Sequence, residues 1–237
     1  IDRIKKACRS LIMKQIASFG CGVDSVAGLL LNSNYDEIIF ADTGSELPET
    51  YAYLDYFEKK SGLKITKVKS HLGKIYDYYY NKNHFPTVAL RDCTGKFKIQ
   101  PIRKYIRTKY GKKETFEMNI FIDYDEFHRM HTSDVKYAKN VYPLVEQKIT
   151  REKYIELIKS KGYLIPQKSG CYFCMFTPKK KWIELKNNHP DLFQKTLDLE
   201  KNAMYTKEGK RKWNLKPLIN MRGKESKTLF ECACFNG

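Results

Sequence analysis

Ser18-Phe19-Gly20-Cys21-Gly22-Val23-Asp24-Ser25 lies between two apolar runs, Gln15–Phe19 before it and Val26–Leu31 after it. The order reads as strand, glycine turn, helix. Small residues at such a bend let backbone N–H groups and the positive end of the helix surround a phosphate at close range. Asp24 and Ser25 add polar groups at its mouth. The order Gly-x-Gly-x-Asp-Ser is neither a lysine-bearing Walker loop nor the dinucleotide pattern Gly-x-Gly-x-x-Gly. A glycine turn can also simply join a strand to a helix, so the flanking pattern has to decide.

Working outward, Glu37–Ala41 reads as a second buried strand, ending at Asp42-Thr43-Gly44. Pro48-Glu49-Thr50 then opens a helix that carries Tyr53, Leu54 and Phe57 on one side and stops near Gly62. Lys64–Lys69 alternates as a third strand does. Strands separated by helix-length segments indicate parallel βαβ units, whose ligands lie at the carboxyl ends of the strands, where both glycine turns fall. Further along, Ile99–Tyr110 predicts a basic helix and Phe116–Ile122 another strand of the sheet. Thr150 is expected to cap a helix to Ser160 with Tyr154, Ile155 and Ile158 on its apolar side. Pro178–Asn187 and Pro190–Ala203 predict two short helices, each opened by proline. From Tyr205 the chain is basic and weakly patterned. The expected organisation is an extension over 1–13, a nucleotide-binding domain over 14–176 and a basic, mainly helical region over 177–237.

The 237 residues include 44 Lys+Arg against 27 Asp+Glu, a net charge of +17 that calls for an anionic partner. With 42% hydrophobic residues the chain can build a core, which excludes a disordered tail. No stretch approaches the roughly 20 apolar residues of a membrane span. Ile1–Leu11 is basic without a following apolar run of signal-peptide length, so a cytoplasmic protein with reduced thiols is expected.

The loop resembles the PP-loop of ATP pyrophosphatases, Ser-Gly-Gly-x-Asp-Ser, with Gly20 and Cys21 replacing the first Ser and first Gly. Asp42-Thr43-Gly44 followed by Pro48-Glu49-Thr50 is similar to the Asp-Thr-Gly-x-x-x-Pro-Glu-Thr signature of the phosphoadenosine phosphosulfate (PAPS) reductase family. Arg91-Asp92-Cys93-Thr94 with Lys98-Ile99-Gln100-Pro101 resembles the Cys-Thr-x-x-x-Lys-Ile-x-Pro segment of that family and of related DNA phosphorothioation enzymes. The resemblance implies an α/β fold of the adenine nucleotide α-hydrolase type, a Rossmann-like parallel sheet with helices on both faces and a small helical C-terminal region. It implies that Ser18, Gly20, Cys21, Gly22, Val23, Asp24 and Ser25 hold the phosphates of ATP, with Asp42, Thr43 and Gly44 near the nucleotide.

Cys171-Tyr172-Phe173-Cys174 is a two-residue-spaced pair able to chelate one metal. Cys93 sits in the motif that accompanies such a pair in the family. APS reductases, similar in this region, use a Cys-Cys pair plus Cys-x-x-Cys for an iron–sulfur cluster; here Asp92 stands where the first cysteine would be. The expected metal ligands are therefore Cys93, Cys171, Cys174 and Cys232 (or Cys234), holding a [4Fe-4S] cluster, with four-thiolate zinc as the alternative. A three-cysteine cluster with one iron open for sulfur, as in related tRNA thiolases, is a further arrangement. Cys8 and Cys21 fall outside this set; Cys21 is either a packing residue or a reactive thiol beside the phosphates.

Lys and Arg cluster at Lys96–Lys113, Lys179–Lys181 and Lys207–Lys227, with Tyr105, Tyr110, Trp182 and Trp213 among them, as expected where phosphates are neutralised and bases stack. Arg129 and His131 read as a polar loop at the rim of the nucleotide cleft. The function expected from the resemblance is adenylation of a nucleic acid, tRNA or DNA, by ATP and Mg²⁺ with release of pyrophosphate, followed by sulfur insertion. Asp24, Ser25 and Cys232 are the expected catalytic residues, and a cysteine desulfurase is a candidate sulfur donor. The alternatives are a PAPS/APS sulfonucleotide reductase releasing sulfite and a non-catalytic nucleic-acid-binding relative. The reductase tail Glu-Cys-Gly-x-x-His is echoed by Glu231-Cys232-Ala233-Cys234 alone.

Overall fold

The structure is a computed structural model that describes residues 13–86 and 92–204. Expectations that concern residues 1–12, Arg91, the basic run Lys207–Lys227, Trp213, Cys232 and Cys234 lie outside the described residues. The strands are β1 (Lys14–Ser18), β2 (Glu37–Asp42), β3 (Thr66–Lys69), β4 (Phe116–Ile120) and β5 (Ala138–Val141). The main helices are α1 (Val23–Leu31), α2 (Pro48–Ser61), α3 (Ile75–Asn81), α4 (Gln100–Tyr110), α5 (Arg151–Ser160), α6 (Lys179–Asn188) and α7 (Pro190–Met204). Packing divides the described residues into two compact units, 13–42 with 47–68 and 99–169, and 43–46 with 69–86, 92–98 and 170–204.

The first unit is built on a five-stranded sheet of order β3-β2-β1-β4-β5. The pairs β1–β2, β1–β4 and β4–β5 are parallel. Successive residues of a strand face opposite sides of the sheet. Ala17, Ile38 and Phe40 accordingly enter one core with Val26 of α1, Leu54 and Phe57 of α2, and Tyr154 and Ile158 of α5. Ile16, Ile39, Ala41 and Met118 enter the other with Ile102 and Ile106 of α4. Burial on both faces explains why β2 reads as a continuous apolar run rather than an alternating one. Helix α2 ends where Gly62 takes a left-handed φ of 70°, a conformation glycine adopts without a Cβ penalty.

The second unit is rich in rings. In α3, Ile75 and Tyr79 are four residues apart and both buried, and Tyr79 meets Phe97 at 6.3 Å between centroids. Tyr76 packs on Tyr172 at 6.1 Å and on Phe173 at 6.0 Å. Helix α7 packs against α3 and α6, and Asn202 Nδ2 donates to the Tyr80 carbonyl at 2.6 Å. Two expectations change in detail. The helical path toward α4 begins earlier than Ile99, at Asp92, through a π-helical turn over Gly95–Ile99. Thr150 stands at the N-cap of α5, but its side chain makes no capping hydrogen bond.

Candidate functional site

The loop after β1 keeps the backbone that a glycine-rich phosphate loop needs. Cys21 has a φ of 57° although it carries a side chain, so the residue standing in for glycine adopts a glycine conformation. Its thiol lies 3.5 Å from the Thr50 carbonyl and is 1% exposed, which makes packing its role. Gly22 is the N-cap of α1. A Cβ there would lie 3.1 Å from Ser169 Oγ. The hydroxyl of Ser25 accepts from the Gly22 N–H at 3.1 Å and donates to the Gly22 carbonyl at 3.0 Å, holding the bend shut on itself. The leading N–H groups of α1 have no acceptor within the helix and carry its positive partial charge, the property an anion requires.

The strand order places β1 between β2 and β4, the point where the direction of winding reverses and ligands of open parallel sheets bind. Three carboxylates meet at the carboxyl ends of these two strands: Asp24 from α1, Asp123 from just past β4, and Glu126 from the 3₁₀ turn Tyr124–Arg129. Their ligand oxygens lie within 4.8 Å of one another. Asp123 is buried and its Oδ1 accepts from the Glu126 N–H at 3.0 Å. Burial pushes the Asp24 carboxyl up to about 6; Arg151 opposes the shift, while Asp123 and Glu126 add to it. Arg151 Nη1 stands 3.3 Å from Asp24 Oδ1, and Arg129 pairs with Glu126. Sequence reading singled out Asp24 but not its two partners. The available signal for Asp123 was its place one residue beyond the apolar run Phe116–Ile122.

Cys93, Cys171 and Cys174 lie in the second unit. Cys171 forms an antiparallel bridge with Glu46, and the Tyr172 N–H bonds the Ser45 carbonyl at 2.9 Å. Cys174 N–H bonds the Cys171 carbonyl at 2.9 Å, closing the two-residue turn. Thr43 Oγ1 lies 3.4 Å from Cys171 Sγ and donates to Glu46 Oε1 at 3.1 Å. Lys98 Nζ is 3.9 Å from that same oxygen. Glu46 raises the pKa of Lys98 and burial opposes it, with Cys171, Cys174 and Cys93 adding to the rise, so three thiols share the field of one ammonium. Burial first and Glu46 second push the Cys171 thiol up. Among the described residues, Glu46 Oε2 is buried without a hydrogen-bond partner.

The expected nucleotide-contacting residues divide between the units. Ser18 through Ser25 and Asp42 lie in the first, where Asp42 accepts from the Tyr51 hydroxyl at 2.8 Å. Thr43 and Gly44 lie in the second, where the Thr43 hydroxyl is engaged by Glu46 and Cys171. Gly44 has a φ of 70°, and a Cβ on it would come within 2.7 Å of Lys74 Cγ. Asp92, at the position of a missing cysteine, bonds Lys96 and the Tyr79 hydroxyl, each at 2.6 Å.

Residues 14–117 match the family model described as the phosphoadenosine phosphosulfate reductase domain. This segment is similar to the PAPS reductase domain. The chain is also 26% identical over 236 residues to an uncharacterized protein of Methanocaldococcus jannaschii, covering 88% of this chain and 55% of that protein. A second uncharacterized protein of the same organism is 23% identical over 214 residues, covering 82% of this chain and 43% of the relative. The chain thus spans about half the length of these curated relatives. In fold it is similar to phosphoadenylyl-sulfate (PAPS) reductase from Candida auris in a phosphate complex, with a TM-score of 0.50 at 11% identity, covering 73% of this chain and 88% of that one.

The segment similar to that family ends inside β4, so the acid trio combines Asp24 within the matched residues with Asp123 and Glu126 beyond them. Among the described residues, the three carboxylates alone form a group of three or more candidate metal ligands with ligand atoms within 4.8 Å of one another. The bend at Gly20–Ser25 offers N–H groups to phosphates, and the three carboxylates offer hard oxygens to a divalent cation; thiols are donors of the soft kind that iron and zinc take. Three of the four rings expected to serve nucleic acid lie among the described residues. Trp182 is 2% exposed, and the hydroxyls of Tyr105 and Tyr110 bond Glu37 at 3.2 and 3.0 Å.

Proposed function

We propose that the protein binds ATP with its phosphates on Gly20–Ser25 and adenylates a nucleic-acid substrate, preparing it for sulfur insertion. An oxygen of the substrate attacks the α-phosphorus, the bond to the β-phosphate oxygen breaks, and pyrophosphate leaves. A sulfide-level sulfur then displaces AMP from the activated atom, a redox-neutral exchange of oxygen for sulfur. The N–H groups opening α1 orient the phosphates, and Ser25 keeps the bend in register. Asp24, Asp123 and Glu126 would hold Mg²⁺, which neutralises charge on a departing pyrophosphate. Cys93, Cys171 and Cys174 would hold an iron–sulfur cluster, with Cys232 or Cys234 as a further candidate ligand, and that cluster supplies a soft site for sulfur.

The observation that carries this reading is the acid trio beside the glycine bend. A leaving pyrophosphate calls for a cation and therefore for carboxylates. Thiol attack on the sulfur of a sulfonucleotide expels no pyrophosphate and has no comparable use for them. The family match keeps the sulfonucleotide reductase as the second reading. The deciding measurement compares tRNA, DNA, PAPS and APS as stimulants of turnover. Pyrophosphate and AMP released from ATP on addition of nucleic acid support adenylation, whereas sulfite released from PAPS or APS selects the reductase.

A further inference from the structure

The turn Tyr124–Arg129 leaves large apolar side chains in solvent. Phe127 is 60% exposed, Tyr124 38%, and Met130, whose N–H bonds the Phe127 carbonyl at 2.9 Å, 43%. The Tyr124 and Phe127 rings lie 6.4 Å apart between centroids at 35°, and Phe127 meets His128 at 6.3 Å. Glu126 on this turn and Asp123 at its cap are two of the three carboxylates that converge with Asp24. Basic and acidic groups both surround the rings: Arg129 pairs with Glu126, Arg151 with Asp24, and Asp125 is exposed on the turn. His128, Arg129 and His131 lie on the same segment, and the Tyr124 N–H bonds the Ile149 carbonyl at 3.3 Å, which brings the stretch from Lys148 to Arg151 alongside. The basic side chains His128, Arg129, His131, Lys148 and Arg151 are all exposed.

Area separates the candidate occupants. At roughly 200 Å² per large side chain, the three exposures sum to about 300 Å². A stable protein partner covers about 800 Å² on each side. The patch is therefore far too small for a protein interface and close to the faces of one or two bases. We propose that Tyr124 and Phe127 are a stacking platform for an unpaired nucleobase of a nucleic-acid strand whose phosphates meet the exposed Arg129, Lys148 and Arg151, an inference that rests on the nucleic-acid reading above. The platform presents the strand beside the acid trio. A base held in a duplex cannot lie on it, so single strands, loops and flipped bases are the substrates it selects.

The test uses the full 237-residue chain and fluorescence anisotropy. The probes are labelled oligouridylate and oligodeoxythymidylate of about 15 nucleotides, with an RNA duplex of the same length. In Tyr124→Ala and Phe127→Ala, single-strand affinity is expected to fall by roughly 5- to 150-fold with duplex affinity unchanged. Phe127→Trp should retain the affinity of the parent protein. Ring-dependent binding of either strand supports the platform. Unchanged affinity in both alanine variants, an equal loss on duplex and single strand, or a change of oligomeric mass in Phe127→Ala by ultracentrifugation overturns it. ATP binding, measured by equilibrium dialysis, separates the two claims. Retained ATP binding with ring-independent oligonucleotide binding overturns the platform alone. Ring-dependent binding in a protein that never adenylates leaves the platform standing and overturns the adenylation reading.

Discussion

Asp24 is where stability and chemistry oppose each other. Its folded pKa of about 6 lies above the ordinary aspartate value of 3.8, so the stability it contributes is fully present below pH 4 and is lost as pH rises through 6. Asp24→Asn keeps the shape and removes the buried charge. The variant should be more stable than the parent by roughly 1–2 kcal/mol at pH 7.5, with the gain vanishing near pH 4, read from urea midpoints. Its pyrophosphate release should fall at least about 100-fold, since a neutral amide is a poor ligand for a divalent cation. Unaltered turnover would remove Asp24 from the site. At this scale the sequence exposed the loop, because Gly-x-Gly-x-Asp-Ser is contiguous. It did not expose Asp123 and Glu126 as partners, because 99 or more positions separate them from Asp24 and the sheet alone brings them together.

Among the elements, the contact of α1 with the segment after β4 fixes the site. Gly28 faces the Phe121 ring so closely that a Cβ would lie 2.2 Å from Cδ1. Gly28→Ala should therefore destabilise despite alanine's better helix propensity, by roughly 1–3 kcal/mol. The melting temperature should drop by roughly 2–10 °C. Adding Phe121→Leu should recover part of the loss, and a strictly additive double variant would contradict direct packing. Glu37, at the head of β2, is a second junction: burial opposes its ionisation, but Lys109, Thr66 and Tyr110 hold its carboxyl below the usual range. Its stabilising effect is present above the ordinary glutamate pKa and is lost as pH falls through the lowered folded value. Glu37→Gln should lower the urea midpoint at pH 7, with the penalty shrinking as pH falls below the ordinary glutamate range; a penalty constant with pH would assign the effect to shape instead of charge.

The periodic elements were legible for a physical reason. Strands β1, β2 and β4 announce themselves through apolar runs, β3 through alternation, and α2 through its proline start and glycine stop. Strand β5 was not legible: Ala-Lys-Asn-Val has neither alternation nor apolar length, and its strand state comes from parallel pairing of Phe116 with Ala138 and of Asn119 with Val141. Helix α3 was also hidden. Its run of tyrosines favours strand on propensity, and tertiary burial of Ile75 and Tyr79 on one helical face overrides that preference.

For the whole molecule, the net charge of +17 promises anion binding but does not say which cations serve it. Several of the expected ones are engaged within the protein: Lys109 with Glu37, Arg103 with Asp134 and Lys96 with Asp92. The thiols give the prediction that spans the chain. Anaerobically purified protein should be brown, contain iron and acid-labile sulfide, and lose both in Cys174→Ser. Stoichiometric zinc in a colourless sample would overturn the cluster assignment.

Local order along the chain determined the α/β class, the phosphate-binding bend and the three-motif likeness to PAPS reductases, because each of these is written in neighbouring residues. The tertiary structure alone decided what those motifs face. It set three carboxylates at the reversal of the sheet, drew Thr43 to Cys171, buried Trp182 and left Phe127 in water. Each depends on through-space distance between residues far apart in sequence, which only the packed chain fixes.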